Sequence, residues 1–266
     1  MKITVFTSNQ SRHLSLLREL AAVADEVYAV QECTTVFPGE VDDFFRKSNV
    51  MQDYFARVIT AERELFGALA FLPSNVRSLS IRVGDISRVS LDVLAPALQS
   101  DIYVVFGASY IKRPLIDFLV GRRALNIHMG VSPYYRGDSC NFWAVYDGNP
   151  DLVGATIHYL SAGLDTGAIL YHALPAPAAV DPFSLGMRAV KAAHRSFTAK
   201  LADGSLWDLT PVEQNKSFEI RYSRNSDFVD AVAAEYLARN LKSDDVAAML
   251  AAAPSRDLLR PHYIET

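Results

Sequence analysis

The chain has 266 residues, half of them hydrophobic, with 26 Lys and Arg against 30 Asp and Glu and a net charge of -4 at pH 7. That length buries a full core and fits one main domain with a short appendage, while the charge supplies no general attraction to nucleic acid or to an anionic membrane. The two cysteines, Cys33 and Cys140, lie far apart without CxxC or His/Cys spacing, so reduced thiols are expected and neither a disulfide nor a metal site is.

Met1 leads directly into a strand-like run, with no targeting segment and no stretch long enough to span a bilayer; a cytoplasmic protein without a membrane partner is expected. Strand-like runs at residues 2–7, 26–30, 78–83, 101–106 and 124–128 alternate with helical patterns at 11–22, 41–67, 90–98 and 113–120. This alternation predicts an α/β fold: a Rossmann-like, open, mostly parallel sheet with helices on both faces. Ligands in such sheets bind outside the carboxyl ends of the strands.

The first strand runs into Thr7-Ser8-Asn9-Gln10-Ser11-Arg12-His13 and not into GxGxxG, which disfavours a nicotinamide or flavin dinucleotide. Ser8, Asn9, Gln10 and Arg12 read either as a polar loop facing a substrate or as an ordinary strand-to-helix turn with Ser11 as the cap. A second loop, Phe106-Gly107-Ala108-Ser109-Tyr110-Ile111, follows a very apolar strand and precedes a helix with Pro114 near its start. Next comes Asn126-Ile127-His128. Residues two apart on a strand project from one face, so this amide and this imidazole point together. A loop rich in Pro and Gly follows, Ser132-Pro133-Tyr134-Tyr135-Arg136-Gly137. Asp165 then sits in Gly163-Leu164-Asp165-Thr166-Gly167, a tight turn between strand-like runs at 153–160 and 168–174.

A helix opened by Asp181-Pro182 runs to about Leu201. In the tail, Val229, Val232, Ala233, Tyr236, Leu237 and Leu241 share one face at helical spacing, a stripe that covers either the main body or a second copy of the chain.

Taken in order, Asn126, His128, Pro133, Tyr135, Arg136, Gly137 and the whole of Gly163 to Gly167 resemble the 10-formyltetrahydrofolate-dependent formyltransferases, which include methionyl-tRNA, glycinamide ribonucleotide and amino-sugar formyltransferases. The family run is Asn-x-His-Pro-Ser-Leu-Leu-Pro-x-Tyr-Arg-Gly, followed by Gly-Leu-Asp-Thr-Gly. This chain departs from it at Met129-Gly130, where Pro-Ser is usual, and at Val131-Ser132.

The resemblance implies a catalytic domain, taken as residues 1–206, and the length and helical spacing of residues 207–266 make them a mainly helical C-terminal appendage. It implies 10-formyltetrahydrofolate as formyl donor, held by Phe106, Gly107, Ala108, Ser109, Tyr110 and Ile111 together with Gly163 and Leu164. Asn126 would donate to the oxyanion, cationic His128 would share that role or protonate the leaving nitrogen, and Asp165 would orient His128 and accept the amine proton. Formyl transfer of this kind needs no metal. Candidate acceptor contacts are Ser8, Asn9, Gln10, Arg12, Tyr135, Arg136, Tyr222 and Arg224, the aromatic platform being Tyr222 or Phe37. Residues 207–266 hold 7 Lys and Arg against 10 Asp and Glu, unlike the basic surface that tRNA needs. The expected acceptor is therefore a nucleotide-linked amino sugar, with no nucleic acid partner and homodimer formation open. The alternatives are a hydroxyornithine-type siderophore precursor, glycinamide ribonucleotide, methionyl-tRNA, or a folate-binding scaffold without catalysis.

Overall fold

A computed structural model of the chain describes residues 1–36 and 48–266. The first half alternates strand and helix as expected: β1 (Lys2–Ser8), α1 (Ser11–Ala21), β2 (Glu26–Cys33), α2 (Asn49–Phe66), β3 (Val76–Arg82), α3 (Leu91–Leu94), β4 (Ile102–Val105), α4 (Leu115–Gly121) and β5 (Leu125–His128). There follow β6 (Tyr135–Gly137), α5 (Cys140–Tyr146), β7 (Ala155–Tyr159), β8 (Ile169–Pro175) and α6 (Pro182–Ala202). The tail carries β9 (Arg221–Ser223), α7 (Asp230–Arg239), α8 (Ser243–Ala251) and β10 (His262–Ile264).

Eight strands form one sheet in the order β10-β8-β7-β5-β4-β1-β2-β3. Neighbours are parallel except at β7, which runs antiparallel to both β5 and β8. The chain builds outward from β1 to β3 and then returns to the other side of β1 as β4, so the order reverses between β1 and β4. A crevice opens outside the carboxyl ends of strands at such a reversal. Both faces are covered: Leu16, Leu17 and Leu20 of α1 pack with Val190, Ala193 and Phe197 of α6 on one side, and Leu115 and Leu119 of α4 pack with Leu94 and Leu98 on the other. The central strands are accordingly buried along nearly their whole length, which is why they read as continuous apolar runs.

Three local expectations change. The helix expected over 41–67 is described from Asn49 onward, with the Ser48 hydroxyl accepting the Met51 N–H at 3.1 Å as its cap; residues 41–47 of that expectation, and Phe37, lie outside the described residues. The helix expected over 90–98 is a single turn capped by Ser90, followed by a 3-10 turn at Ala97–Gln99, because Pro96 has no N–H to continue the ladder. The cap of α1 is Gln10, with Ser11 already inside the helix.

The tail is stitched to the body at several points. β9 pairs in parallel with β6, and β10 extends the main sheet beside β8. Both have three residues, too few to show a period of two in a sequence. Arg221 lies 4.3 Å from the Trp143 ring centroid and grips Asp147 through Nε (2.8 Å) and Nη2 (2.6 Å). The apolar stripe of α7 docks inward: Tyr236 meets Phe142 at 4.7 Å and Phe183 at 5.8 Å between ring centroids, and Ala233 is wholly buried.

Several histidines are buried uncharged. His194 of α6 is fully enclosed between Phe106 (4.9 Å) and Phe66 (6.1 Å), and neither ring nitrogen has a hydrogen-bond partner. Burial, with Arg12 adding repulsion, holds its pKa down at about 3. His172 donates from Nε2 to the Ser132 carbonyl (2.7 Å) and accepts the Leu259 N–H at Nδ1 (3.0 Å), and burial lowers its pKa to about 4. These groups titrate near 6.5 in the unfolded chain, which therefore binds more protons than the fold once the pH drops below that value. Each then removes about a kcal/mol of stability per pH unit down to its folded pKa. Thermal unfolding followed at pH 7, 6 and 5 should show a falling midpoint, and His194→Phe should make the fall shallower. An unchanged pH slope in His194→Phe would count against an uncharged His194 in the core.

Candidate active site

β5 presents Asn126 and His128 from one face, and β7 lies opposite with Asn126 facing His158 and His128 facing Thr156. The Asn126 amide nitrogen lies 3.2 Å from Asp165 Oδ1 and 3.0 Å from His158 Nε2. His128 Nδ1 lies 3.4 Å from the same Asp165 oxygen. The amide, imidazole and carboxylate singled out in the sequence thus converge on one point. His158 donates from Nδ1 to the Tyr159 carbonyl (2.8 Å), which leaves Nε2 as an acceptor for Asn126. Burial, with His128 adding repulsion, lowers the His158 pKa to about 4, so it is neutral at pH 7.

The turn after His128 is fixed by Thr156, whose hydroxyl donates to the Gly130 carbonyl (2.6 Å) and accepts the Ser132 N–H (2.8 Å). A side chain at residue 130 has no room, since its Cβ would stand 2.5 Å from Cys140 Cβ and 2.7 Å from His128 Nε2. Cys140 Sγ fills that flank at 3.5 Å from His128 Nε2. Burial, reinforced by Asp165 and Asp138, raises its thiol well above the ordinary range, so it stays protonated. The departure from Ser at 130 therefore has a steric cause in this chain.

Asp165 adopts a left-handed backbone, φ 48°. The turn is held from outside: Gln214 Nε2 donates to the carbonyls of Asp165 (2.7 Å) and Gly167 (2.9 Å), and Arg136 Nη2 donates to that of Leu164 (3.3 Å). Glycine is obligatory at 167, where a Cβ would stand 1.7 Å from the Tyr159 carbonyl oxygen.

Across the cavity runs the Phe106–Ile111 loop. Buried Glu32 anchors it by accepting the Ser109 N–H (2.6 Å) while its other oxygen accepts the Gly84 N–H (2.7 Å). Thr7 Oγ1 donates to the Phe106 carbonyl (2.8 Å), and Tyr110 Oη donates to the Ala162 carbonyl (3.0 Å). The cavity encloses about 830 Å³ and is lined by Asn126, His128 and Asp165, by all of Phe106, Gly107, Ala108, Ser109, Tyr110 and Ile111, and by Gly163 and Leu164.

The candidate acceptor contacts divide. Ser8, Gln10 and Arg12 line this cavity, whereas Asn9, Tyr135, Arg136, Tyr222 and Arg224 are not part of its wall. Asn9 is tied to the Thr34 backbone, and Tyr135 is wholly buried with its hydroxyl between Asn149 and Asp147. Arg136 is buried against Glu219 (2.9 Å), its guanidinium 5.7 Å from the Tyr222 ring centroid, and Arg224 is exposed on the tail. Even Arg12 is committed within the body, with Nη1 2.6 Å from Oε2 of buried Glu62 and its backbone N–H 2.9 Å from Oε1. Among the described residues no group of three His, Cys, Asp or Glu side chains could hold a metal ion, and no helix is long and apolar enough to cross a membrane.

His158, Glu32 and Gln214 escaped the sequence reading, and Cys140 was read there only as a reduced thiol. The strand at 153–160 was legible, but its register against β5, which alone puts His158 beside Asn126, was not.

Residues 91–199 match the family model described as formyl transferase. Methionyl-tRNA formyltransferase of Synechococcus sp. (strain JA-3-3Ab) is 31% identical over 128 residues, which are 46% of this chain and 38% of that protein, so the match spans less than half of the relative's length. A sugar N-formyltransferase from Shewanella sp FDAARGOS_354 shares the fold at TM-score 0.53 and 18% identity over 100% of this chain and 93% of that one. The N-formyltransferase from Helicobacter canadensis, solved in complex with folinic acid and dTDP-3-aminofucose, does so at TM-score 0.50 and 14% identity over 98% and 84%. The fold is thus that of the formyltransferases, enzymes that transfer formyl groups. Residues 91–199, which hold Asn126, His128 and Asp165, are the part of the chain that matches that family's model.

The steric reading of residue 130 is open to a direct check. Gly130→Ser should cost roughly 1–3 kcal/mol of stability through overpacking and move the His128 imidazole resonances in NMR spectra. Wild-type stability with unmoved His128 resonances would refute it.

Proposed function

We propose that the chain transfers a formyl group from 10-formyltetrahydrofolate to the amine of a small acceptor. The observation that carries this reading is the convergence of Asn126, His128 and Asp165 on the wall of a cavity that the Phe106–Ile111 loop also lines. The loop suits a flat heterocycle because bare backbone forms part of it: Gly107 has φ 63°, and a Cβ there would stand 2.5 Å from His13 Cε1. Gly163 and Leu164 would complete that side of the donor site.

The formyl donor supplies an electrophilic carbonyl carbon. Asn126 donates an N–H to the carbonyl oxygen as it gains charge when the amine attacks. Both amide hydrogens are engaged in the structure, so this donation exchanges the longer bond, to Asp165, and keeps the one to His158. Asp165, relieved of that bond, takes the proton that the attacking amine must lose. His128, whose cationic imidazole the Asp165 carboxylate beside Nδ1 supports before it takes the amine proton, delivers its own proton to the departing folate nitrogen as the bond from that nitrogen to the formyl carbon breaks. Hydrogen bonds and proton transfers of this kind complete the reaction without a metal.

For the acceptor we favour a nucleotide-linked amino sugar. The support is the net charge of -4, the acidic tail and a fold shared with an N-formyltransferase solved with dTDP-3-aminofucose. With Arg12 engaged by Glu62, the diphosphate would rely on backbone N–H groups and on Arg224, which adjoins cavity-lining Asn225. Methionyl-tRNA is the second reading, favoured by the named relative, but a polyanion needs a basic footprint.

Purified protein given 10-formyltetrahydrofolate and a panel of amines should release tetrahydrofolate with sugar-nucleotide amines. Asn126→Ala should lower turnover on the order of 100- to 1000-fold, and Asp165→Asn should be at least as damaging. Near-normal turnover in Asp165→Asn removes Asp165 from the mechanism, and a higher kcat/KM for methionyl-tRNA than for every sugar tested reverses the acceptor. Calorimetry with 5-formyltetrahydrofolate should find one site per chain with affinity on the order of micromolar, the usual range for metabolites; no binding at millimolar ligand would sink the folate reading.

A further inference from the structure

The tail reaches the catalytic loop at a place that neither motif predicts. Val212 and Ile169 exchange backbone hydrogen bonds at 2.8 and 2.9 Å, which ties the tail beside the strand that follows the Gly163–Gly167 turn. Two residues on, the Gln214 amide nitrogen donates to two carbonyls of that turn, Asp165 at 2.7 Å and Gly167 at 2.9 Å. Only the nitrogen end of the amide can face two carbonyl oxygens, so its orientation is fixed by chemistry. The oxygen end, Gln214 Oε1, is buried without a partner. An acceptor left unsatisfied in this way is costly to keep, so the side chain is placed for its two N–H groups. A second arm works in parallel: Arg136 bridges the tail's Glu219 (2.9 Å) to the Leu164 carbonyl (3.3 Å).

These bonds fall on the residue that most needs them. Asp165 holds a left-handed backbone, φ 48°, a conformation that L residues adopt at a cost and that persists where the surroundings over-determine it. Its carboxylate oxygen has to stay within reach of both Asn126 (3.2 Å) and His128 (3.4 Å). Release of the carbonyls at 165 and 167 frees the turn to relax toward ordinary negative φ, which swings the carboxylate away from both.

We propose that Gln214 is a positioning residue for Asp165, so that the C-terminal tail forms part of the working site through a two-pronged clamp on the Gly163–Gly167 turn. The kinetic side of this proposal rests on the reading of Asp165 as the proton acceptor in formyl transfer. It differs from a purely structural role because the clamp sets where one oxygen atom lies and leaves the donor site wall at Phe106–Ile111 untouched.

Gln214→Met keeps the volume and removes both N–H donors. It should lower kcat roughly 10- to 100-fold, the scale of an angstrom-sized misplacement, and change KM for 10-formyltetrahydrofolate by a smaller factor, since Gly163 and Leu164 sit on the loosened turn while the Phe106–Ile111 wall does not. Hydrogen–deuterium exchange of a peptide spanning residues 161–170 should quicken by about tenfold or more in the same variant, as expected where local opening becomes easier. Asp165→Asn assayed alongside separates the two claims. If that variant is inactive while Gln214→Met keeps kcat within about threefold of wild type, or if exchange of the turn is unchanged, the clamp is refuted and the formyl-transfer reading stands. If the wild-type chain transfers formyl to no amine, that reading fails instead, and the exchange experiment alone decides whether Gln214 holds the turn.

Discussion

The site depends on one hydrogen-bonded junction, the amide of Asn126 held between His158 and Asp165. An amide nitrogen has two hydrogens, and here each has an assigned acceptor. His158 can accept because its own Nδ1–H is given to the Tyr159 carbonyl and because burial keeps the ring neutral. The backbone of β7 therefore fixes a histidine tautomer, the tautomer fixes the Asn126 amide, and the amide aims at Asp165. This chain of dependence needs β7 antiparallel to β5 with Asn126 opposite His158. A register slip of one residue would turn His158 to the other face of the sheet.

Carboxylates of the chain itself occupy places where an α/β fold often receives anions. Glu62 accepts the Arg12 backbone N–H at the start of α1 and pairs with the Arg12 guanidinium; Glu32 takes N–H groups from two loops, at Gly84 and Ser109. Both carboxylates are buried and hydrogen-bonded, the condition under which such groups are tolerated inside a protein. The consequence is a cavity mouth tied by buried carboxylates and a first strand-to-helix turn whose Arg12 cation and backbone N–H are already engaged. An acceptor bearing phosphate must find its contacts away from that turn.

The sheet was legible in the sequence because its central strands are buried on both faces and so appear as unbroken apolar runs bounded by turn residues. Asn126, His128 and Asp165 were legible through their residue types and through the motifs around them. What escaped notice depends on pairing across long sequence separations. His158 looks like any strand residue until β7 is placed beside β5. Glu32, next to the last residue of β2, carries no signal until the loops at 84 and 109 fold over it. Tyr135 and Arg136, singled out with the motif, turn out to be buried, one bonded to Asn149 and Asp147 and the other to Glu219. Their types suggested ligand contact, whereas the Tyr135 side chain is bonded within the body and Arg136 joins the tail to it.

The tail also shows why an apolar stripe is a poor guide to what it covers. The α7 stripe is the strongest sequence signal after residue 206, and it packs on Phe142 and Phe183 as aromatic core. The contacts that reach the Gly163–Gly167 turn come instead from residues 212–219, a segment without period or motif, Gln214 directly and Glu219 through Arg136. A stripe is visible because burial of apolar area needs several side chains in register. A hydrogen bond from one glutamine to two carbonyls needs a single side chain and leaves no pattern. The strain that such a bond offsets, a left-handed aspartate between two glycines, is visible only once the backbone is traced, and it is there that the tail and the Gly163–Gly167 turn prove to be one structure.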